Sequence, residues 1–394
     1  MRILMCSIEA PLPPTNGLRL QVAALMESLG RRHDVRLLGF RMPDQVGAKA
    51  PESIRVIDWP PRGLGQKVRL ATEAGFRRYP FGLAELERLI APLLREEIER
   101  FDPDLVHVTP GRLAGLGRLV KTPSVLAALD AAYVNYEARR LLLRGVKRWA
   151  MAVQIARMKR FEERAYARLG KVVVVTDEDL KALRRLNQSL RVTVIPNGVD
   201  SDRFAPVAGV ARQSNLVIFT GVMNYAPNVA AARYLAREIM PRLRERVPAA
   251  RLMLVGRTPD PTVRELADAD GVEVVGDVDD MATWLSRASA YVCPMVSGTG
   301  IKNKLLEAMA NGLPCVGSSL AVQGTEVVNG KHVLIADQTE EISNHIARLL
   351  SDDDLASRLG RAARSYVMSH HSWDAVARKY EETYEEVIAA AEVG

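Results

Sequence analysis

The sequence predicts an α/β protein made of two parallel-sheet domains, and three observations carry that prediction. At 394 residues with 48% apolar residues, the chain is too long for one ordinary core and apolar enough to fill two. Short apolar runs alternate with amphipathic stretches along its length, the pattern of βα units that assemble a parallel sheet. Pro196, Asn197 and Gly198 break one apolar run and open a polar connection that reaches about Asn215, where one domain should give way to the next.

In the first half, Arg2–Ile8 is the expected opening strand. The loop from Pro11 leads into a helix running to about Arg31, with Asn16 as N-cap and Gly17 allowing a close backbone approach. Strands are expected at His33–Phe40 and Ser53–Asp58, a basic, weakly patterned and irregular or partly helical stretch at 62–79, and an amphipathic helix at Leu83–Arg100. Asp102–Val108 should be a buried strand ending at His107, and Thr122–Leu129 the next one, closed by Asp130. Ligands of a parallel sheet gather at the carboxyl ends of its strands, so both polar residues are candidates. Each also has an ordinary explanation, a satisfied core histidine and an aspartate capping the following helix.

Residues 137–171 form the longest helical pattern, with 11 Lys or Arg against 3 Glu and Leu141, Leu142, Leu143, Trp149, Met151, Ile155, Met158 and Phe161 among them. A basic amphipathic helix carrying a tryptophan is suited to peripheral association with an anionic membrane. The expectation for most such helices is that the apolar face packs on the sheet. Val172–Thr176, Glu178–Leu186 and Val192–Ile195 complete the half as strand, helix and strand.

The second half restarts with a strand at Leu216–Thr220, a turn from Gly221 to Asn228 and a helix from Val229 to about Arg246. Strands follow at Arg251–Val255, ending at Gly256 and Arg257, and at Gly271–Val275, with a last one at His332–Ile335 before helices run to the end. Between them lies YVCPMVSGTGIKNKLLEAMANGLPCVG, from Tyr291 to Gly317, with the pattern of strand, glycine turn, helix and strand. Ser297, Gly298, Thr299 and Gly300 allow backbone N–H groups near a ligand. The helix expected from there carries Ile301, Lys302, Asn303 and Lys304 in its first turn, and Leu305, Leu306 and Met309 on a packing face. Lysine is poorly placed at the positive end of a helix, so two of them there suit an anion such as a diphosphate. Glu307, one turn deeper, is placed to accept from ligand hydroxyls. The ordinary alternative is a plain crossover with solvated charges.

Composition narrows the function classes. The net charge of +7 fits a basic enzyme surface and does not select nucleic acid or lipid. Cys6, Cys293 and Cys315 have no metal-type spacing and are expected as buried, reduced thiols of a cytoplasmic protein. No metal site is expected. The start has too short an apolar run for a signal peptide, and nothing approaches the ~20 apolar residues that span a bilayer. GLGRLV at Gly115 lacks the third glycine of a dinucleotide fingerprint.

KLLEAMANGLPCVGS resembles the donor-site motif of the retaining glycosyltransferase family 4. IPNGVDSDRFAP from Ile195, FTGVMNYAPN from Phe219, LMLVG from Leu252 and the Ser372–Trp373 pair are similar to its other segments, in its order. The resemblance implies the GT-B fold: a Rossmann-like acceptor domain at 1–196, a Rossmann-like donor domain at 197–371 facing it across a cleft, and a helix at 372–394 returning to the first. It implies donor contacts at Gly17, Gly221, Asn224, Gly256, Arg257, Thr299, Gly300, Lys302, Lys304, Leu305 and Glu307, and catalytic positions at Asp130 and His107. It further implies a nucleoside-diphosphate sugar as co-substrate, a UDP-sugar first among them, with retention of configuration, no required metal and no separate cofactor. The acceptor is a glycan, a lipid-linked glycan or a small natural product, reached in the cytoplasm or at the inner membrane face. Two departures stand out. The arginine and lysine that follow the glycine matching Gly221 in many relatives are missing, which leaves Lys302 and Lys304 as replacements, and Thr299 stands where the motif's first glutamate belongs. A nucleotide-binding or pseudo-glycosyltransferase protein and a nucleotide-sugar epimerase on the same fold remain alternatives.

Overall fold

The computed structural model describes residues 1–14, 16–45, 47–59, 80, 83–298 and 300–393. Both the expected irregular stretch at 62–79 and Thr299 lie outside the described residues. The chain forms two compact units, one comprising Met1–Ile195 with Val376–Gly394 and the other Pro196–Ala375.

The first unit is a seven-stranded parallel sheet of β1 (Arg2–Ser7), β2 (Asp34–Arg41), β3 (Ile54–Asp58), β4 (Leu105–Thr109), β5 (Ser124–Leu129), β6 (Lys171–Val174) and β7 (Val192–Val194), in the order β3-β2-β1-β4-β5-β6-β7. The order reverses between β1 and β4, where a doubly wound sheet opens its ligand crevice. Strands such as β4 are buried throughout, which is why they appear in the sequence as unbroken apolar runs. Helix α1 (Gly17–Gly30) starts as expected at Asn16, whose side chain accepts from the Arg19 amide at 3.0 Å. The helix α2 (Leu83–Phe101) also follows expectation.

Two expectations fail in this unit. The strand expected from Asp102 begins at Leu105, because Asp102 adopts φ 48° and cannot extend a ladder, and it runs past His107 to Thr109. The long helix expected over 137–171 is two helices, α3 (Ala132–Leu141) and α4 (Gly145–Tyr166), broken where Arg144 is extended and Gly145 takes φ +56°. Helix α5 (Asp177–Leu186) is capped by Thr176, whose hydroxyl accepts from the Asp179 amide.

The second unit is a six-stranded parallel sheet of β8 (Leu216–Thr220), β9 (Arg251–Val255), β10 (Val272–Val275), β11 (Ala290–Cys293), β12 (Cys315–Gly317) and β13 (Leu334–Ile335), in the order β10-β9-β8-β11-β12-β13. The helix expected to start at Val229 starts three residues earlier, as α6 (Ala226–Tyr234), with Pro227 in its first turn where a missing N–H costs nothing. A π turn at Leu235–Ile239 joins it to a further helix ending at Arg246. The remaining helices used below are α7 (Asn303–Ala310), α8 (Asp353–His370) and α9 (Trp373–Val393). A separate apolar core fills each unit, and all three cysteines are buried free thiols.

Two distant segments of the second unit meet in one contact. A Cβ on Gly198 would lie 2.5 Å from the Trp373 ring, and the Val199 amide donates to the His371 carbonyl at 2.7 Å. Only glycine leaves that ring room. Beyond Val376, α9 belongs to the first unit. There Tyr384 hydroxyl meets His107 Nδ1 at 2.7 Å, and Glu381 accepts from Arg32 at 2.7 Å.

Candidate functional site

The turn after β11 contains Gly298 at φ 106° and Gly300 at φ 71°, conformations that side chains avoid. The reversal at Gly300 delays the helix: α7 starts at Asn303 with Lys302 as its N-cap, not with Ile301 and Lys302 in its first turn. Lys302 therefore points back along the turn, and its ammonium donates to the Gly300 carbonyl at 2.6 Å. It braces the loop, and burial lowers its pKa.

Lys304 is in the first turn of α7. Its ammonium donates to Asn228 Oδ1 and lies 4.9 Å from the centroid of the Phe219 ring. A Cβ on Gly221 would sit 3.2 Å from that ammonium and 2.7 Å from Asn228 Nδ2. Asn228 in turn donates to the Val222 carbonyl at 2.9 Å. The ends of β8, α6 and α7 thus converge on one cation. Gly256, at φ 153°, is pressed against the same loop, since a Cβ there would fall 1.7 Å from the Gly221 carbonyl oxygen. The Met223 amide donates to the Arg257 carbonyl at 3.0 Å. Asn224 and the Arg257 side chain are exposed, and Leu305 is buried as an anchor of α7.

Burial pushes the Glu307 carboxyl up to about 7, with the charges of Lys304 and Arg203 limiting the rise. Burial also lowers the pKa of Lys304, and Glu307 pulls it back up. A lysine and a carboxyl one turn apart, both half-buried, make a strong local field. If Glu307 accepts from ligand hydroxyls, its ionised form is the better acceptor. Nucleotide affinity should then rise as pH goes from 6 to 8, while Glu307→Gln flattens the profile. Titration at several pH values checks this.

The first unit holds the other candidates. Asp130 directly follows β5, and the residue before it, Leu129, has φ 72° at a register shift against β6. Positive φ at a branched residue is strained, and such strain persists where the surroundings enforce it. Asp130 does not cap α3, which has no side-chain cap; the Ala131 amide instead donates to Asp179 Oδ1 at 3.0 Å. The carboxylate accepts from Asn135 Nδ2 at 2.7 Å, and burial, followed by the charge of Asp179, raises its pKa. Behind it lies Glu162, absent from the sequence-level candidates. It is fully buried, no described residue meets its oxygens at good hydrogen-bond geometry, and burial pushes its pKa up to about 8, with the nearby Ala132 and Tyr133 amides and Tyr166 hydroxyl limiting the rise.

His107 does not join this group. It pairs with Val125 in the middle of the sheet, its ring is packed by Tyr380 and Tyr384, and burial pushes its pKa down to about 3. That is a core histidine holding α9, which corrects its expected place at a strand end. Gly17 is exposed at the start of α1, behind a loop in which Glu9 accepts from Asn16 at 2.8 Å and from Arg19 at 2.7 Å.

Comparison with known proteins bears on the family and the fold. The model for Glycosyltransferase Family 4 matches residues 15–203, and that for Glycosyl transferases group 1 matches residues 214–352. The chain belongs to glycosyltransferase family 4. Within that family it is 31% identical over 206 residues to a phosphatidyl-myo-inositol mannosyltransferase of Mycolicibacterium smegmatis, covering 50% of this chain and 52% of that protein. It is 30% identical over 209 residues to a GDP-mannose-dependent alpha-(1-6)-phosphatidylinositol monomannoside mannosyltransferase of Mycobacterium tuberculosis, covering 47% and 53%. The family 4 chain spans about half the length of the curated relatives it matches. Its fold is similar to that of sucrose-phosphate synthase from Thermosynechococcus elongatus, with TM-score 0.70 and 19% identity over 99% of this chain and 100% of that one. Anabaena HepE in complex with UDP gives TM-score 0.65 and 15% identity over 98% and 100%. Both are two-domain GT-B glycosyltransferase folds, and the present chain has the same architecture.

Proposed function

We propose that the chain transfers a hexosyl group from a nucleoside-diphosphate sugar to a hydroxyl acceptor, with retention of configuration and without a required metal. The observation that carries this reading is the convergence of Lys304, Asn228 and the Gly221 and Gly256 backbones beside the half-buried Glu307. A departing diphosphate needs fixed positive charge in a dry site, and Lys304 with the α7 amides supplies it. Glu307 holds the ribose hydroxyls. Lys302 acts through the turn it braces, so Lys304 alone replaces the basic residues missing after Gly221. In the transfer step the bond from the anomeric carbon to the phosphate oxygen breaks, the acceptor oxygen bonds to the same face, and the phosphate oxygen takes the acceptor's proton. Asp130 contacts the sugar being transferred.

The name of the M. tuberculosis relative carries GDP-mannose, which joins the UDP-sugar expected from the sequence as a donor to test. The acceptor is a glycan, a lipid-linked glycan or a small natural product, and the place of work is the cytoplasm or the inner membrane face. Among the described residues no helix is long and apolar enough to cross a membrane. The test is incubation of the protein with labelled GDP-mannose and UDP-glucose, with and without a lipid and glycan extract, following release of the nucleoside diphosphate. Acceptor-dependent release is expected, and Asp130→Asn should lower it about 100-fold with nucleotide affinity unchanged. Conversion of the donor sugar without acceptor would favour an epimerase, and an unaltered rate in the variant would remove Asp130 from the site.

A further inference from the structure

Among the described residues of the first unit, no packing accounts for the tip of the hairpin formed by α3 and α4. The sequence pattern led us to expect its apolar residues on the sheet, yet Leu141 is 75%, Leu142 85%, Val146 81% and Trp149 70% exposed. The buried positions of α4 begin only at Ile155, and Gly145–Ala150, about 9 Å of helix, is exposed at every residue. Its base is fixed: Lys159 pairs with Glu137 at 2.7 Å and lies 4.8 Å from the centroid of the Tyr133 ring. Arg139, Arg140, Arg144, Lys147 and Arg148 surround the apolar residues and are all exposed. Glu137, held by Lys159, is the sole acidic residue between 137 and 150.

Single exposed apolar residues are ordinary, but four within nine positions of one hairpin are a patch. We propose that this tip docks on an anionic lipid bilayer. Leu141, Leu142, Val146 and Trp149 enter the boundary between headgroups and acyl chains, and the five cations bind lipid phosphates with their stems lying along the apolar surface. Charge decides the occupant. A second copy meeting the tip across a two-fold axis would set five cations against five. A polyanion such as nucleic acid would pair the arginines but leave the leucines in water. An anionic bilayer receives both sets. Apolar insertion and electrostatic attraction are the two signals that stable peripheral binding requires.

The test is flotation of the full chain with phosphatidylcholine vesicles and with equimolar phosphatidylcholine and phosphatidylglycerol vesicles. Binding to the anionic vesicles is expected to be at least tenfold stronger, to weaken with salt, and to blue-shift tryptophan emission in a way that Trp149→Phe abolishes. Leu142→Asp combined with Trp149→Asp, and Arg144→Gln combined with Arg148→Gln, should each lower binding at least tenfold. Because these residues are exposed, circular dichroism and nucleotide affinity should stay unchanged. Absence of binding by the wild type, or equal binding by the variants, overturns the proposal. So does self-association in sedimentation velocity that the same substitutions abolish, which would assign the tip to a second copy. Docking does not depend on the donor reading, and nucleotide titration separates failure of one from failure of the other.

Discussion

Lys304→Ala is expected to weaken nucleoside diphosphate binding by 10- to 100-fold. The magnitude follows from losing a half-buried, charge-assisted hydrogen bond to a phosphate, worth about 1.5–3 kcal/mol, at about 1.4 kcal/mol per tenfold. The effect should exceed that of Lys302→Ala, because the Lys302 ammonium is committed to the Gly300 carbonyl whereas Lys304 converges with Asn228 on the Gly221 loop. Asn228→Ala should cost less than Lys304→Ala, since it removes only the group that aims the ammonium. Calorimetric titration of folded variants ranks the three. Equal losses at positions 302 and 304 would mean that both ammonium groups reach the ligand.

Gly256→Ala is expected to be the most damaging single substitution considered, and mainly to the fold. The added methyl would lie 1.7 Å from the Gly221 carbonyl oxygen, a backbone atom that cannot move aside, at φ 153°. A loss of about 3 kcal/mol or more is expected, which lowers Tm by roughly 10 °C in a unit of this size. At Gly276 a Cβ meets nothing within 4 Å, so Gly276→Ala should stay within about 0.5 kcal/mol of wild type. Thermal denaturation of the pair checks the claim. A Gly256→Ala protein as stable as wild type would mean that the loops after β8 and β9 are further apart than described.

The parallel sheets were legible because central strands such as β4 and β8 are buried on both faces and leave unbroken apolar runs in the sequence. Turns were less so. The start of α7 depends on the positive φ of Gly300, and a glycine records only that such a value is permitted. Once the helix was expected at Gly300, both lysines fell in its first turn and appeared equivalent. Placing the start of α6 at Val229 likewise left Asn228 in a loop with nothing to aim its side chain, whereas Asn224, the expected contact, is exposed. Glu162 had a usable signal: Ile155, Met158, Glu162, Ala165 and Tyr166 lie at helical spacing on one buried face. Its neighbour Glu163 concealed it, because a pair of glutamates in a basic helix suggests a solvated surface. The break between α3 and α4 was marked by Gly145, but helical spacing continues across it. The exposure of the hairpin tip is a tertiary fact that spacing does not encode.

The central claim is that the β8, α6 and α7 ends form a nucleoside diphosphate site. The most direct measurement is isothermal titration of UDP and of GDP into the wild-type protein and into the Lys304→Ala, Glu307→Ala double variant. Saturable one-to-one binding of at least one nucleotide by the wild type, lost in a double variant of unchanged fold, is the predicted result. Binding of equal strength to both proteins, or of neither nucleotide to the wild type, would contradict it.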